Sequence, residues 1–242
     1  GLTSIVIPDS VVTMGTEDYG GNNGVFYECT SLETVTLSQN MTQLGNYAFY
    51  GCEKLNNVVL PDSVTYLDYY AFGNCTALTN IALSKKLETI CEGAFIGCTA
   101  LETITIPKSV TGTDYYFTSD DHGIFHNCPN LKEVVLEEGL TVIPEALFLG
   151  ADSLETVVIP NTVTTIQPNA FAFAKGLTSI VIPDSVTSME ADSDYGVFAG
   201  CVNLETVTLS QNLTQLASYA FEGCTKLDNV VLPDSITQIN NY

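Results

Sequence analysis

Short runs in which apolar residues alternate with polar or β-branched ones recur along the whole chain. Each run follows the pattern L-x-x-[IV]-x-[IL], as in "LETVTL" at 32–37, and this alternation is typical of a β-strand with one buried face. The runs begin at ten leucines: Leu2, Leu32, Leu55, Leu78, Leu101, Leu131, Leu154, Leu177, Leu204 and Leu227. Six of the nine spacings between them are 23 residues, so the sequence predicts a structural repeat of that length.

Each repeat continues in the same way after its strand. A breaker such as "PDS" or "SQN" ends the strand, a second apolar pair such as Val64 and Leu67 follows, and A-F-x-x-C closes the repeat as one turn or helical turn. One unit cannot bury its own apolar side, whereas stacked units can. We therefore expect an α/β leucine-rich-repeat solenoid, with a curved parallel sheet and one strand plus a short turn or helical segment per repeat.

The repeats run from one end of the chain to the other. We expect residues 1–242 to form a single array of about ten repeats, without an internal domain boundary. "GLTSIVIPDSV" occurs at 1–11 and again inside the array at 176–186, and the chain ends in mid-repeat. A solenoid needs capping repeats, so the chain is expected to be a fragment of a longer protein.

Cysteine and phenylalanine each occupy one position of the repeat. Seven of the eight cysteines share a column: Cys29, Cys52, Cys75, Cys98, Cys128, Cys201 and Cys224. Two repeats hold Ala151 and Ala174 there, which favours a small buried side chain over a reactive thiol, with disulfides as the alternative. The phenylalanine column is likewise interpreted as core. Cys91 lies outside its column and is expected to be exposed.

Composition excludes several functions. The net charge is −21, with seven lysines and no arginine, which disfavours nucleic acid and anionic lipid as partners. No apolar run approaches the roughly 20 residues that span a bilayer, so no membrane insertion is expected in this segment. The sequence has no nucleophile elbow and no phosphate-binding glycine loop. We therefore expect no enzyme activity and no cofactor.

The extended pattern L-x-x-[IV]-x-[IL]-P-x-S-V-T-x-I…A-F-x-x-C resembles the BspA-like (Treponema pallidum type) leucine-rich repeats over essentially the whole chain. The resemblance implies an extracellular or cell-surface protein, secreted or surface-exposed, that adheres to host proteins or other cells. The chain departs from ordinary leucine-rich repeats, because the column that holds asparagine there mostly holds serine and other residues here.

The first candidate site is the outward face of the strands, a weakly polar and nearly uncharged surface on an acidic protein. Residues between the buried strand positions point outward, and exposed apolar patches often mark interaction sites. The simpler interpretation is that β-branched residues stabilise strands. The candidate binding residues on this face are Thr36, Val59, Asn80, Thr105, Val135, Val158 and Val181.

The second candidate site is a set of three insertions at 15–25, 112–124 and 190–197. Each insertion contains an acidic–tyrosine pair, and inserted loops often carry function, although they are also tolerated as solvated loops. The candidate loop residues are Asp18, Tyr19, Asp114, Tyr115, Asp194 and Tyr195. "DSD" at 192–194 offers oxygen ligands without an EF-hand spacing, and His122, His126 and Cys128 lack a fourth zinc ligand. No metal site is assigned.

Three functions remain open. The leading hypothesis is a non-enzymatic adhesion module that binds a protein or glycan partner, such as host matrix or a cell surface, through the strand face and the loops. The alternatives are a structural spacer that presents another domain, and a glycan- or calcium-binding module at the loops.

Overall fold

The structure, a computed structural model, describes residues 1–15, 24–115, 122–191 and 195–240. Two rows of short parallel strands lie on two sides of a stacked coil. We number the coils 1 to 10 by their leading leucines. The leucine-headed runs form the first row: β1 (Ser4–Val6), β3 (Thr34–Thr36), β5 (Asn57–Val59), β7 (Asn80–Ala82), β9 (Thr103–Ile106), β11 (Glu133–Leu136), β13 (Thr156–Val157), β15 (Ser179–Val181), β17 (Thr206–Thr208) and β19 (Asn229–Val230).

The second apolar pair of each repeat forms the second row. Its strands are β2 (Thr13–Met14), β4 (Gln43–Leu44), β6 (Tyr66–Leu67), β8 (Thr89–Cys91), β10 (Gly112–Asp114), β12 (Val142–Ile143), β14 (Thr165–Ile166), β16 (Ser188–Met189), β18 (Gln215–Leu216) and β20 (Gln238–Ile239). The first row pairs as β1-β3-β5-β7, β9-β11-β13 and β15-β17-β19, and the second as β2-β4-β6-β8-β10, β12-β14-β16 and β18-β20. Both breaks in the second row fall at insertions.

The parallel solenoid with a repeat of about 23 residues is confirmed, but the α/β description is not. Each coil has two strands rather than one, and the closing A-F-x-x-C segments are successive turns, with no α-helix among the described residues. The reason is where the backbone N–H groups point. Phe49 N–H donates to Ala71 O of the next coil at 2.8 Å, and Gly51 N–H donates to Gly73 O at 2.8 Å. These N–H groups therefore cannot make the bonds within one segment that an α-helix requires.

Phenylalanine rings stack through the centre of the coil. Phe49 and Phe72 have ring centroids 5.3 Å apart with an interplanar angle of 9°, and the same stacking joins every neighbouring pair from Phe26 to Phe221. Seven of these rings are fully buried, and only those near the two ends are partly exposed. The prediction that this column is core is therefore confirmed.

Hydroxyl groups take the place of the missing asparagine column. Ser109 Oγ donates to Leu87 O of the preceding coil at 2.7 Å, and Thr162 Oγ1 donates to Leu140 O at 2.8 Å. Where the column does hold asparagine, a buried serine two residues earlier makes the bond, as from Ser38 Oγ to Val11 O at 2.6 Å. Because buried carbonyls need a donor, these bonds fix the turns that make them on the preceding coil, whereas the column hydroxyls of Ser63 and Ser185 have no hydrogen-bond partner among the described residues.

Candidate interaction surface

The outward side of the first strand row carries the residues that the sequence predicts for binding. Strand register places them in line, with Val59 opposite Ala82 and Thr105 opposite Val135 on neighbouring coils. Such neighbours are about 4.8 Å apart in a sheet. The surface thus consists of two parallel rows, one headed by Ser4 and one by Val6, with each row contributing one residue per coil. We call this surface the strand face.

The strand face exposes large apolar side chains. Val59 is 72% exposed, Val158 is 79% exposed, and Val181 is 61% exposed. Thr36, Asn80 and Thr105 are also exposed, while the residues between them, such as Val58 and Ile104, are buried. Glu133 is the one charged residue in the two rows. The structure therefore brings all seven strand-face candidates together on one continuous, nearly uncharged surface.

The described loop candidates contact other coils. Tyr66 Oη donates to Asp114 Oδ2 at 3.3 Å, and Tyr115 Oη donates to Glu145 Oε1 at 2.5 Å. Tyr195 packs edge-on against Phe173, with ring centroids 4.9 Å apart. These side chains thus link coils, and Asp114 and Tyr115 bind different partners rather than forming one site. Asp18, Tyr19 and Asp194 lie outside the described residues.

The cysteine column lies in the core, and all eight cysteines are free. Cys52, Cys75, Cys98, Cys128 and Cys201 are buried, and Cys29 and Cys224 are half-buried near the ends. The prediction of core packing is confirmed for the buried five. Cys91, expected to be exposed, is fully buried at the end of β8. That expectation was wrong because Tyr66, Asp68 and Asp114, in or beside the second strand row, surround and cover the thiol, although Cys91 lies outside the apolar core.

Six of the seven column thiols also make a polar contact that the sequence pattern does not reveal. Cys75 Sγ donates to Phe49 O of the preceding coil at 3.1 Å, and the five equivalent bonds from Cys52 to Cys224 measure 3.1 to 3.2 Å. Phe49 O also accepts a hydrogen bond from Cys52 N–H at 3.1 Å, so the Cys75 thiol donates to the second lone pair of that carbonyl oxygen. Burial raises the pKa of the Cys52 thiol to about 12, which makes it a poor nucleophile.

A cluster of acidic and tyrosine side chains at the end of the second strand row is a further feature that was not predicted from the sequence. Tyr70 Oη donates to Glu92 Oε1 at 3.0 Å, and Gln43 Nε2 donates to Asp68 Oδ2 at 3.1 Å. Burial raises the pKa of Asp68, as does the nearby charge of Asp114. Asp68 and Asp114 occupy the same repeat position two periods apart, so the 23-residue spacing could have indicated that they are close, but it does not indicate their partners Gln43 and Tyr66.

The histidines do not assemble a zinc site in the described part of the chain. His126 Nδ1 lies 3.2 Å from Asp152 Oδ2, and Lys175 Nζ lies 3.5 Å from Asp152 Oδ1. Cys128 Sγ is directed at Phe95 O instead. Across the described ranges, no group of three or more histidine, cysteine, aspartate or glutamate residues has a metal-binding arrangement.

Comparison with known families identifies the class. The profile of the BspA type leucine rich repeat region matches residues 1–122 and 118–242, with six copies of the repeat. The chain therefore belongs to the BspA-type leucine-rich repeat family. Among curated protein sequences, none matches.

Solved structures similar to this chain include other leucine-rich repeat proteins. A leucine rich cell surface protein from Faecalibacterium prausnitzii is 27% identical, with 99% of this chain and 69% of that chain covered and a TM-score of 0.46. The T. pallidum leucine rich repeat protein is 22% identical, with 94% and 78% covered and a TM-score of 0.45. A leucine-rich repeat protein from Bacteroides ovatus is 22% identical, with 100% and 78% covered and a TM-score of 0.43.

In the described ranges, no helix has the length and apolar character that crossing a bilayer requires.

Proposed function

We propose that this chain is a non-enzymatic protein-binding segment of a surface-exposed or secreted adhesion protein, and that the strand face makes the contact. The observation that carries the proposal is the row of exposed valines aligned across coils, with Val59, Val158 and Val181 each more than half exposed. Exposed apolar patches of this kind are typical of interaction sites. Membership of the BspA-type family supports the proposal.

The shape of the face suits a protein partner better than a small molecule. Its rows follow the strands across successive coils, so an extended surface can contact many coils at once. Repeat proteins use their stacked surfaces in this way. Small-molecule sites are instead concave and bury most of the ligand. A partner from host matrix or from another cell surface fits these requirements.

Lysine substitutions on the face test the proposal. Thr105→Lys, Val135→Lys and Val158→Lys together put three charges on an exposed surface without touching the core, since all three side chains are exposed. Binding to a panel of purified host matrix proteins is expected to fall at least about tenfold, because charge in the centre of an interface is costly.

A matched control keeps the test specific. Thr141→Lys, Thr187→Lys and Val202→Lys add the same charge at exposed positions off the strand face, and are expected to leave binding unchanged. Equal binding by the wild type and the strand-face variant would remove the face from consideration.

The two other hypotheses stay predictions. A spacer binds no ligand, and its full-length gene encodes a separate adhesive or catalytic module. A calcium module at the insertions predicts a higher melting temperature with calcium than with EDTA, because a ligand that binds only the folded state stabilises it. Identical melting temperatures would count against calcium.

A further inference from the structure

A row of carboxylates runs along one border of the strand face. It comprises the residue that follows each leading leucine, and we call it the acidic rim. Five of its ten positions are acidic and exposed: Glu33, Glu102, Glu155, Glu205 and Asp228. Lys132 is its one cation. The backbone carries the rim from coil to coil, since Glu33 N–H donates to Thr3 O and Glu205 N–H donates to Thr178 O.

Most rim carboxylates have no structural task. Glu33, Glu102, Glu205 and Asp228 make no side-chain hydrogen bond or ion pair with any described residue, and only Glu155 is paired, at 2.5 Å from Lys132 Nζ. That pair is exposed on both sides, so it contributes little to stability.

The opposite border of the face differs. There, Asp9 Oδ1 accepts Gln39 N–H at 2.8 Å, and Asp184 Oδ1 accepts Gln211 N–H at 2.7 Å. These aspartates fix turns of successive coils to each other. The negative charge on that border therefore has a structural explanation, whereas the charge on the acidic rim does not.

We propose that the partner covers the strand face with an apolar strip and places lysine or arginine side chains along the acidic rim. This inference rests on the proposed function, because it assumes that the face is the contact surface. The rim lies one residue from the exposed row that contains Thr34 and three residues from the row that contains Thr36, so the rim and the rows can engage the same surface. Complementary charge at the edge of an interface speeds association and excludes partners of like charge. The chain has seven lysines and no arginine. At the rim, Lys132 pairs with Glu155, and Lys226 lines one surface depression with Glu205 and Asp228.

Synthetic peptides immobilised on a sensor surface test the inference. The probes are peptides in which valine alternates with lysine, valine with glutamate, and serine with lysine. The rim variant combines Glu33→Gln, Glu102→Gln, Glu205→Gln and Asp228→Asn. Its control combines Glu53→Gln, Glu88→Gln, Glu190→Gln and Glu222→Gln, which are exposed elsewhere on the coil and remove the same charge.

The wild type is expected to bind the valine–lysine peptide more tightly than it binds either of the other two peptides. Its affinity for the valine–lysine peptide is expected to fall as the salt concentration rises. The rim variant is expected to associate about tenfold more slowly than wild type at low salt, with little change in its dissociation rate. Both rates of the control variant are expected to stay close to those of wild type. Equal binding of the valine–glutamate or serine–lysine peptide, failure of the valine–lysine peptide to bind, or equal effects of rim and control variants would overturn the inference.

Host matrix proteins separate this inference from the proposed function. If a matrix protein loses binding with the Thr105, Val135 and Val158 lysine variant but binds the rim variant like wild type, the partner chemistry is wrong and the strand face stands. If the lysine variant binds it as well as wild type does, the proposed function itself fails.

Discussion

The cysteine column shows how far a single residue can be interpreted from its repeat position. The substitution of Ala151 and Ala174 into equivalent slots correctly predicts a small buried side chain. It does not predict that Cys75 Sγ donates to Phe49 O at 3.1 Å. That bond depends on how one coil sits on the previous one, and the spacing of residues within a repeat carries no such information.

Two substitutions at Cys75 separate the polar contact from the packing. Cys75→Ala is expected to lower the free energy of unfolding by about 1–2 kcal/mol, because it leaves a small cavity and removes a donor from a buried carbonyl. Cys75→Ser is expected to cost less, since its hydroxyl can donate to Phe49 O. Urea unfolding monitored by circular dichroism measures both values. A serine variant less stable than the alanine variant would show that a hydrogen bond to Phe49 O does not offset the cost of burying a polar group in this slot.

Asp68 is expected to make stability depend on pH. Burial raises the pKa of this carboxyl in the folded protein, and the charge of Asp114 adds to the effect. An acid with a raised pKa favours folding when protonated, and that contribution is lost as pH rises through its folded pKa. Asp68→Asn is therefore expected to be more stable than wild type at neutral pH, with the difference shrinking as pH falls through the raised pKa of Asp68 in the folded protein. Parallel urea titrations across that pH range check the trend, and a constant or reversed difference would contradict it.

At the scale of elements, the first strand row was predictable and the second was not. Each leucine-headed run alternates over six residues, which indicates a strand by itself. Pairs such as Gln43–Leu44 are too short for any periodicity, and they become strands only through pairing with Thr13–Met14 and Tyr66–Leu67 of adjacent coils. The sequence could not distinguish a turn from a helical turn in the closing segments for a related reason. Their N–H groups donate to carbonyls of another coil, which a single repeat does not show.

One closing turn has glycine at a position where other coils hold Tyr70, Ala146 or Asn169 in the same left-handed backbone region. Gly93 has φ of +65°, and a Cβ there would lie 2.4 Å from Cε1 of Tyr70. Gly93→Ala is expected to destabilise the protein by about 1–3 kcal/mol, from the left-handed backbone and the clash with the ring.

Gly112 provides the matched control, because a Cβ there would meet no atom closer than Thr89 Oγ1 at 3.8 Å. Gly112→Ala is expected to change the free energy of unfolding by less than about 0.5 kcal/mol. Thermal melts of the two variants compare them directly, and similar losses at both sites would contradict this description of the closing turn.

At the scale of the whole molecule, repetition makes the architecture predictable from the sequence, but it does not make the ligand predictable. Equivalent leucines, phenylalanines and cysteines share one buried environment in the inner coils, so one correct assignment extends along the array until the partly exposed coils near its two ends. The strand face repeats too, which is why Val59 and Val158 look alike and no single residue stands out as a site. The proposed partner chemistry rests instead on four rim carboxylates, Glu33, Glu102, Glu205 and Asp228, whose lack of a side-chain partner among the described residues only the folded arrangement shows.

Alkylation of the native protein, resolved by cysteine, tests the central claim that equivalent repeat positions are buried together in one stacked core. Burial raises the pKa of the Cys52, Cys91 and Cys128 thiols to about 12, so they stay protonated near neutral pH as well as inaccessible. We predict that iodoacetamide modifies Cys29 and Cys224 slowly and leaves the six buried cysteines unmodified until urea unfolds the chain. Rapid native labelling of Cys75 or Cys98, or a disulfide between neighbouring coils, would contradict the account.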